Sequence, residues 1–164
     1  MAAQDDGVAI GEPGAAAAGR VSHAIFRVAR LHRMLAGLLL RRTGLYPGQE
    51  LVMMHLWDVG PQRQADLVKV LDSDAATMTR TVQRLERAGF VRRTPSPTDR
   101  RAVIVESTPA GHALRSQVER IWQDLEDLTT DALDPDRREQ LLELLTAVER
   151  TLIGAVEGTH AETA

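Results

Sequence analysis

The sequence predicts a mainly α fold carrying one small β-hairpin, and three observations point to it. Apolar residues recur at helical spacing through most of the chain, and the period becomes extended only around residues 90–105. Aromatics supply just 3% of the residues against an apolar total of 43%. A core so poor in rings must be built from Leu, Val, Ala, Ile and Met, which leans towards helix. At 164 residues the chain suffices for one compact domain and is short for two, so a single domain is expected over residues 20–158.

Residues 1–19 are rich in Ala and Gly without a sustained hydrophobic period, and read as a disordered arm outside the core. From Val21 to Arg42 apolar residues recur at 21, 25, 28, 35, 38 and 39, an amphipathic helix of about six turns that Gly44 and Pro47 end. Gly48 to Val59 reads as a second helix with Leu51, Val52, Leu56 and Val59 inward, closed by Gly60-Pro61. A third, short helix is expected over Gln62–Leu71, interrupted by Asp72-Ser73-Asp74. The Asp74 carboxylate can accept from the free amides of the next turn, so a fourth helix starts at Ala75 and ends at Gly89, the residue that best tolerates a left-handed terminus.

Beyond Gly89, Phe90-Val91 and Ala102–Val105 form a hairpin whose tip, Thr94 to Arg100, is stiffened by two prolines. Thr108-Pro109 supplies a cap and a proline at the first helical position, opening a long helix to Thr129 with Leu114, Val118, Ile121, Leu125 and Leu128 in a row. Asp134-Pro135 repeats that start before a second near-heptad row of Leu141, Leu145, Val148, Leu152 and Val156. Both rows call for partner helices.

Composition also excludes. Without cysteine there is no disulfide, thiol switch or thiolate metal site. No run approaches the roughly 20 apolar residues that cross a bilayer, and residues 1–20 lack the pattern of a signal peptide, so a cytoplasmic protein with no membrane partner is expected. His23, His32, His55, His112 and His160 show no metal-ligand spacing. Nucleophile-base pairs, phosphate loops and dinucleotide fingerprints are also missing, so neither an enzyme nor a cofactor is expected.

Charge distribution carries the functional signal. The net charge is -3, yet residues 80–101 hold seven arginines against Glu86 and Asp99, a local +5 that leaves -8 for the remainder. A positive patch on an acidic body suits phosphate binding, because the body discourages indiscriminate adhesion. At about 100° per residue, Met78, Val82 and Leu85 share one face of the fourth helix, while Ala76, Thr77, Arg80, Gln83, Arg84 and Arg87 cover the other. Arginines there can fork onto guanine edges or phosphates, and the small residues permit close approach. Taken alone, the same face reads as an ordinary solvated surface. Its neighbours decide: a short helix, a three-residue break, a basic helix and an arginine-rich hairpin, in that order, make a winged helix-turn-helix. This lobe is assigned to about residues 45–107, and long dimerisation helices to 20–43 and 108–157. Residues expected at the DNA are Arg63, Ala76, Thr77, Thr79, Arg80, Arg84, Arg93, Asp99, Arg100 and Arg101.

The segments Leu45-Tyr46-Pro47-Gly48-Gln49, Leu85 to Val91, Asp99-Arg100-Arg101-Ala102 and Thr108-Pro109-Ala110-Gly111 resemble signatures of the MarR (multiple-antibiotic-resistance regulator) family, a likeness spanning about residues 21–156. That resemblance implies that Arg101 enters the minor groove braced by Asp99. The alternative for that pair is a surface salt bridge worth under about 1 kcal/mol. It also implies a homodimer entwined through the first and last two long helices, reading a pseudo-palindromic operator in double-stranded DNA. A small aromatic or phenolic effector in a cleft would release the repressor, with Arg27, His32, Tyr46, His55 and Trp122 as lining candidates, although a histidine on an amphipathic helix is usually structural or solvated. A competing reading keeps the winged-helix shape as a protein-interaction module with only non-specific DNA binding.

Overall fold

The computed structural model describes residues 14–99 and 101–162. Two compact units divide the chain, Met1–Ile121 and Trp122–Ala164. Within the expected N-terminal arm, residues 1–13 lie outside the described residues, and Gly14–Gly19 form a 3-10 helix leading into α1 (Arg20–Leu40). A 3-10 turn at Arg41–Thr43 follows, and Gly44 turns the chain towards α2 (Gln49–Val59).

The first unit then departs from expectation. Gln62 and Arg63 are not the first turn of a helix; they form a short strand, β1 (Gln62–Arg63), pairing antiparallel with β3 through Gln62 opposite Val105 and Arg63 opposite Ile104. Helix α3 is correspondingly short (Gln64–Val70), and the break before α4 (Ala75–Arg87) places Asp72 at a φ of 46°. Strands β2 (Val91–Pro95) and β3 (Val103–Ser107) complete a three-stranded antiparallel sheet of order β1-β3-β2.

The core of this unit gathers one face from every element. Val52, Met53, Leu56 and Trp57 of α2 meet Leu67 of α3, Met78, Val82 and Leu85 of α4, Val91 and Val105 of the sheet, and Val118 and Ile121 further on. The inner row of α4 is thus as its spacing implies. In α2 the inward face is instead Gln49, Glu50, Val52, Met53, Leu56 and Trp57, whereas Leu51 and Val59 are exposed. The buried stripe of α2 is centred between Val52 and Trp57, which puts Leu51 nearly opposite it at about 100° per residue. The row expected to bury α1 is largely open: Val21, Ile25, Val28 and Leu38 are exposed, Leu35 and Leu39 are half-buried, and the helix's buried residues are Ala36 and Leu40.

One long helix was expected from Thr108 to Thr129, but two form, α5 (Pro109–Ala113) and α6 (Arg115–Thr130). Leu114 between them donates to Gly111 O at 3.2 Å, a tighter i to i-3 bond. Gly111 is crowded: a Cβ there would collide with the Phe90 carbonyl and lie 2.7 Å from Ser107 Oγ and 2.9 Å from Met53 Cε. Only glycine lets α5 press this closely on the start of β2. In the second unit α7 (Pro135–Glu162) starts at the expected proline, with Asp134 Oδ1 accepting from Arg137 N at 2.9 Å. Leu141, Leu145, Leu152 and Val156 are exposed along it, Leu152 by 53%. Among the described residues, no helix is long and apolar enough to cross a membrane.

Candidate nucleic-acid interface

Helix α4 is fixed at both ends by its own sequence. Asp74 caps it, Oδ1 accepting from Thr77 N at 2.7 Å and Oδ2 from Thr77 Oγ1 at 2.6 Å. These bonds from Thr77, its hydroxyl first, hold the Asp74 carboxyl below its ordinary range. At the far end Gly89 takes a φ of 79°, a left-handed turn that sends Phe90 into the sheet. Thr108 Oγ1 then donates to Gly89 O at 2.6 Å, stapling the end of β3 to that turn.

With Met78, Val82 and Leu85 buried, the opposite face is open. Ala76, Thr77, Arg80, Arg84 and Arg87 are all exposed, within roughly 60° either side of Arg80 at 100° per residue. Arg80 donates to Thr77 Oγ1 at 3.0 Å, so Asp74, Thr77 and Arg80 form a hydrogen-bonded chain along the first turns. A guanidinium held in this way loses less freedom on meeting a ligand. Thr79 stands differently: half-buried, its hydroxyl donates to Ala75 O at 2.7 Å and accepts from Gln64 Nε2 at 3.0 Å. It braces α4 against α3 rather than facing outward.

The sheet arginines divide as well. Arg63 is exposed on β1. Arg92 is paired with Glu106, its cross-strand neighbour. Arg93 is half-buried and bound to Glu86 of α4, which accepts from Arg93 Nε at 2.8 Å and from its backbone N at 3.1 Å. The Arg93 side chain, above all, keeps the Glu86 carboxyl below the usual carboxylate range. At the hairpin tip Asp99 Oδ1 accepts from the backbone N of Arg101 at 2.9 Å, so the brace acts on the main chain and leaves the exposed Arg101 guanidinium outside that bond. Arg100 lies outside the described residues.

Of the expected ligand contacts, Tyr46 alone stands in the clefts described next. It is 66% exposed and walls two of them. One, of about 420 Å³, runs along α1 between Arg33, Leu38 and Arg41. The other, of about 560 Å³, lies between Tyr46 and Gln49 on one side and Arg84 and Arg87 of α4 on the other. Arg27, His32 and His55 line neither, and Trp122 belongs to the second unit. Sequence reasoning missed Arg33 of α1 and Arg41 of the 3-10 turn that follows it, both of which line the first cleft. Glu50, 6% exposed, was missed as well. Burial pushes its carboxyl above the usual range, partly offset by the Gly48 N–H, which donates to it at 2.7 Å, and by nearby Arg33.

The MarR family model matches residues 45–103, the segment from Leu45 through the wing. The HTH-type transcriptional repressor NicR of Pseudomonas putida is 36% identical over 97 residues, 59% of this chain and 61% of NicR. The chain therefore aligns with less than two thirds of that relative's length. The uncharacterized HTH-type transcriptional regulator YwoH of Bacillus subtilis is 31% identical over 115 residues, 70% of this chain and 84% of YwoH. Among solved structures, a mutant Escherichia coli MarR complexed with operator DNA superposes with a TM-score of 0.77 at 28% identity, covering 83% of this chain and 98% of that one. Bordetella bronchiseptica BpsR, whose DNA binding is regulated by 6-hydroxynicotinic acid, superposes with a TM-score of 0.73 at 27% identity, over 79% of this chain and 98% of that one. Capped helix, arginine face, wing and these likenesses agree, and the chain belongs to the MarR family of winged-helix transcriptional regulators.

Proposed function

We propose that the protein is a homodimeric, sequence-specific DNA-binding repressor acting in the cytoplasm and released by a small aromatic acid. The observation that carries this reading is the open face of α4, where Thr77, Arg80 and Arg84 stand exposed beside a capped N-terminus. Such a helix suits the major groove, with Arg101 of the wing reaching the neighbouring minor groove. Arg63, Ala76, Asp99 and Arg100 complete the footprint. Exposed apolar rows on α1 and α7 supply what a second copy would cover, and a two-fold pair of α4 helices reads a pseudo-palindrome. MarR bound to operator DNA and the repressor NicR support the reading by likeness.

Release follows from shared residues. Arg84 belongs to the open face of α4 and also lines the cleft with Tyr46 and Arg87. An aromatic carboxylate seated there takes the Arg84 guanidinium in a charge-assisted bond and stacks on Tyr46, favouring a conformation in which the helix no longer fits its groove. The relative BpsR responds to such a compound. The test is a mobility shift on the protein's own promoter region. Arg80→Ala and Arg101→Ala should each weaken binding by about 1–3 kcal/mol, and 6-hydroxynicotinate should release the wild type but not Tyr46→Ala. Wild-type affinity in both arginine variants would remove the site assignment.

A further inference from the structure

The recognition helix and the wing are tied together by one side chain. Glu86, in the last turn of α4, accepts from the backbone N of Arg93 through Oε1 and from its Nε through Oε2, while the second guanidinium nitrogen lies 2.6 Å from Oε2. The bond to the main chain matters most, because it fixes the path of β2 and not merely a side chain. Arg93 pairs in register with Val105, and β2 ends two residues later at Pro95, so the grip falls where the hairpin leaves the body of the lobe. The carboxylate that holds the neighbouring arginine, Glu106 against Arg92, links β2 only to β3. A carboxylate among arginines also cancels charge that phosphate would attract, a cost that calls for a compensating role.

We propose that Glu86 is a positioning residue for operator reading: it sets the wing against α4 so that Arg80 and Arg101 engage one duplex together. The inference rests on the DNA-binding reading above, and it moves Arg93 from the DNA surface to the other half of this clamp. Two effects of removing Glu86 have opposite signs. A more positive surface binds any duplex more tightly. A misaligned wing weakens only the duplex that helix and wing must fit at once.

The experiment compares wild type, Glu86→Ala, Glu86→Gln, Arg93→Gln, Arg101→Ala and Glu86→Ala/Arg101→Ala by fluorescence anisotropy. One probe is the inverted-repeat duplex recovered by sequencing genomic fragments that the wild type retains, and the other is a scrambled duplex of equal length and composition. Glu86→Ala is expected to bind the repeat roughly tenfold more weakly while holding the scrambled duplex as tightly as wild type or tighter. Glu86→Gln, which still accepts from the Arg93 backbone N–H, should recover part of the loss, whereas a pure charge effect makes the two variants equal. In the Arg101→Ala background the Glu86→Ala loss should vanish. Additive losses, equal Ala and Gln variants, or a gain on the repeat overturn the proposal. So does an Arg93→Gln variant that loses affinity for both duplexes alike, which would make Arg93 a phosphate contact. A wild type that prefers neither duplex overturns the DNA-binding reading itself, and this inference falls with it.

Discussion

The winged lobe and helix α7 treat their apolar residues in opposite ways. In the lobe, Val52, Met53, Leu56, Leu67, Val82, Leu85 and Val105 are all but inaccessible, buried by elements of the same unit. Along α7, Leu142, Leu144, Leu145, Leu152, Ile153 and Val156 remain open to solvent. Both segments contain regular helix, so helicity is not what separates them. The lobe buries its apolar residues within the chain, and α7 leaves its row exposed, the surface proposed above for a second copy.

The largest effect is expected from attacking that row. Charging α7 with Leu145→Glu and Leu152→Glu should turn the proposed dimer into a monomer by analytical ultracentrifugation and weaken operator binding by about a hundredfold or more, since on that reading two linked recognition helices become one. A dimer that persists would break the contrast. Within the lobe, Leu56→Ala should lower unfolding free energy by about 2–5 kcal/mol in urea titrations while the sedimentation coefficient stays that of wild type. If the two sets of variants behaved alike, stability and assembly would not be separable in this chain.

The smallest effects sharpen the contrast inside the lobe, through pH. Glu50 is buried and its carboxyl raised, so its ionised form is disfavoured in the fold. Acidification through that folded-state value relieves the penalty. Glu50→Gln should therefore be more stable than wild type at neutral pH, with the gap closing as pH falls towards the ordinary carboxylate value. Asp74 is lowered, so its stabilisation is present above the ordinary value and lost as pH falls through the lower, folded one. Asp74→Ala should accordingly be less stable than wild type at neutral pH and approach it in acid. Thermal melts across pH 3–7, on the order of ordinary carboxylate titration ranges, read both signs.

What could be read from the sequence follows the range of the interaction. The start of α4 at Asp74 and its end at Gly89 are matters of neighbouring atoms, and the inner row of Met78, Val82 and Leu85 follows from period alone. Strand β1 was invisible because two residues have no period; Gln62 and Arg63 become a strand only by meeting Val105 and Ile104, some forty residues later. The rotation of α2 was misread for a related reason. Met53, Trp57, Leu51 and Val59 are all apolar, and only the surrounding elements choose which of them turn inward. Likewise Arg92 and Arg93 counted as free charge until Glu106 and Glu86 came within reach.

Those two pairs also change how the proposed regulator should respond to its ionic surroundings. An arginine already neutralised by a carboxylate displaces no condensed cation from DNA, so each one so engaged removes about 0.9 from the slope of log affinity against log salt. With Arg92 and Arg93 both occupied, the dependence per chain should be shallower by roughly two such units than its arginine content suggests. A regulator built this way keeps its occupancy steadier when the surrounding salt concentration swings, at the expense of electrostatic reach.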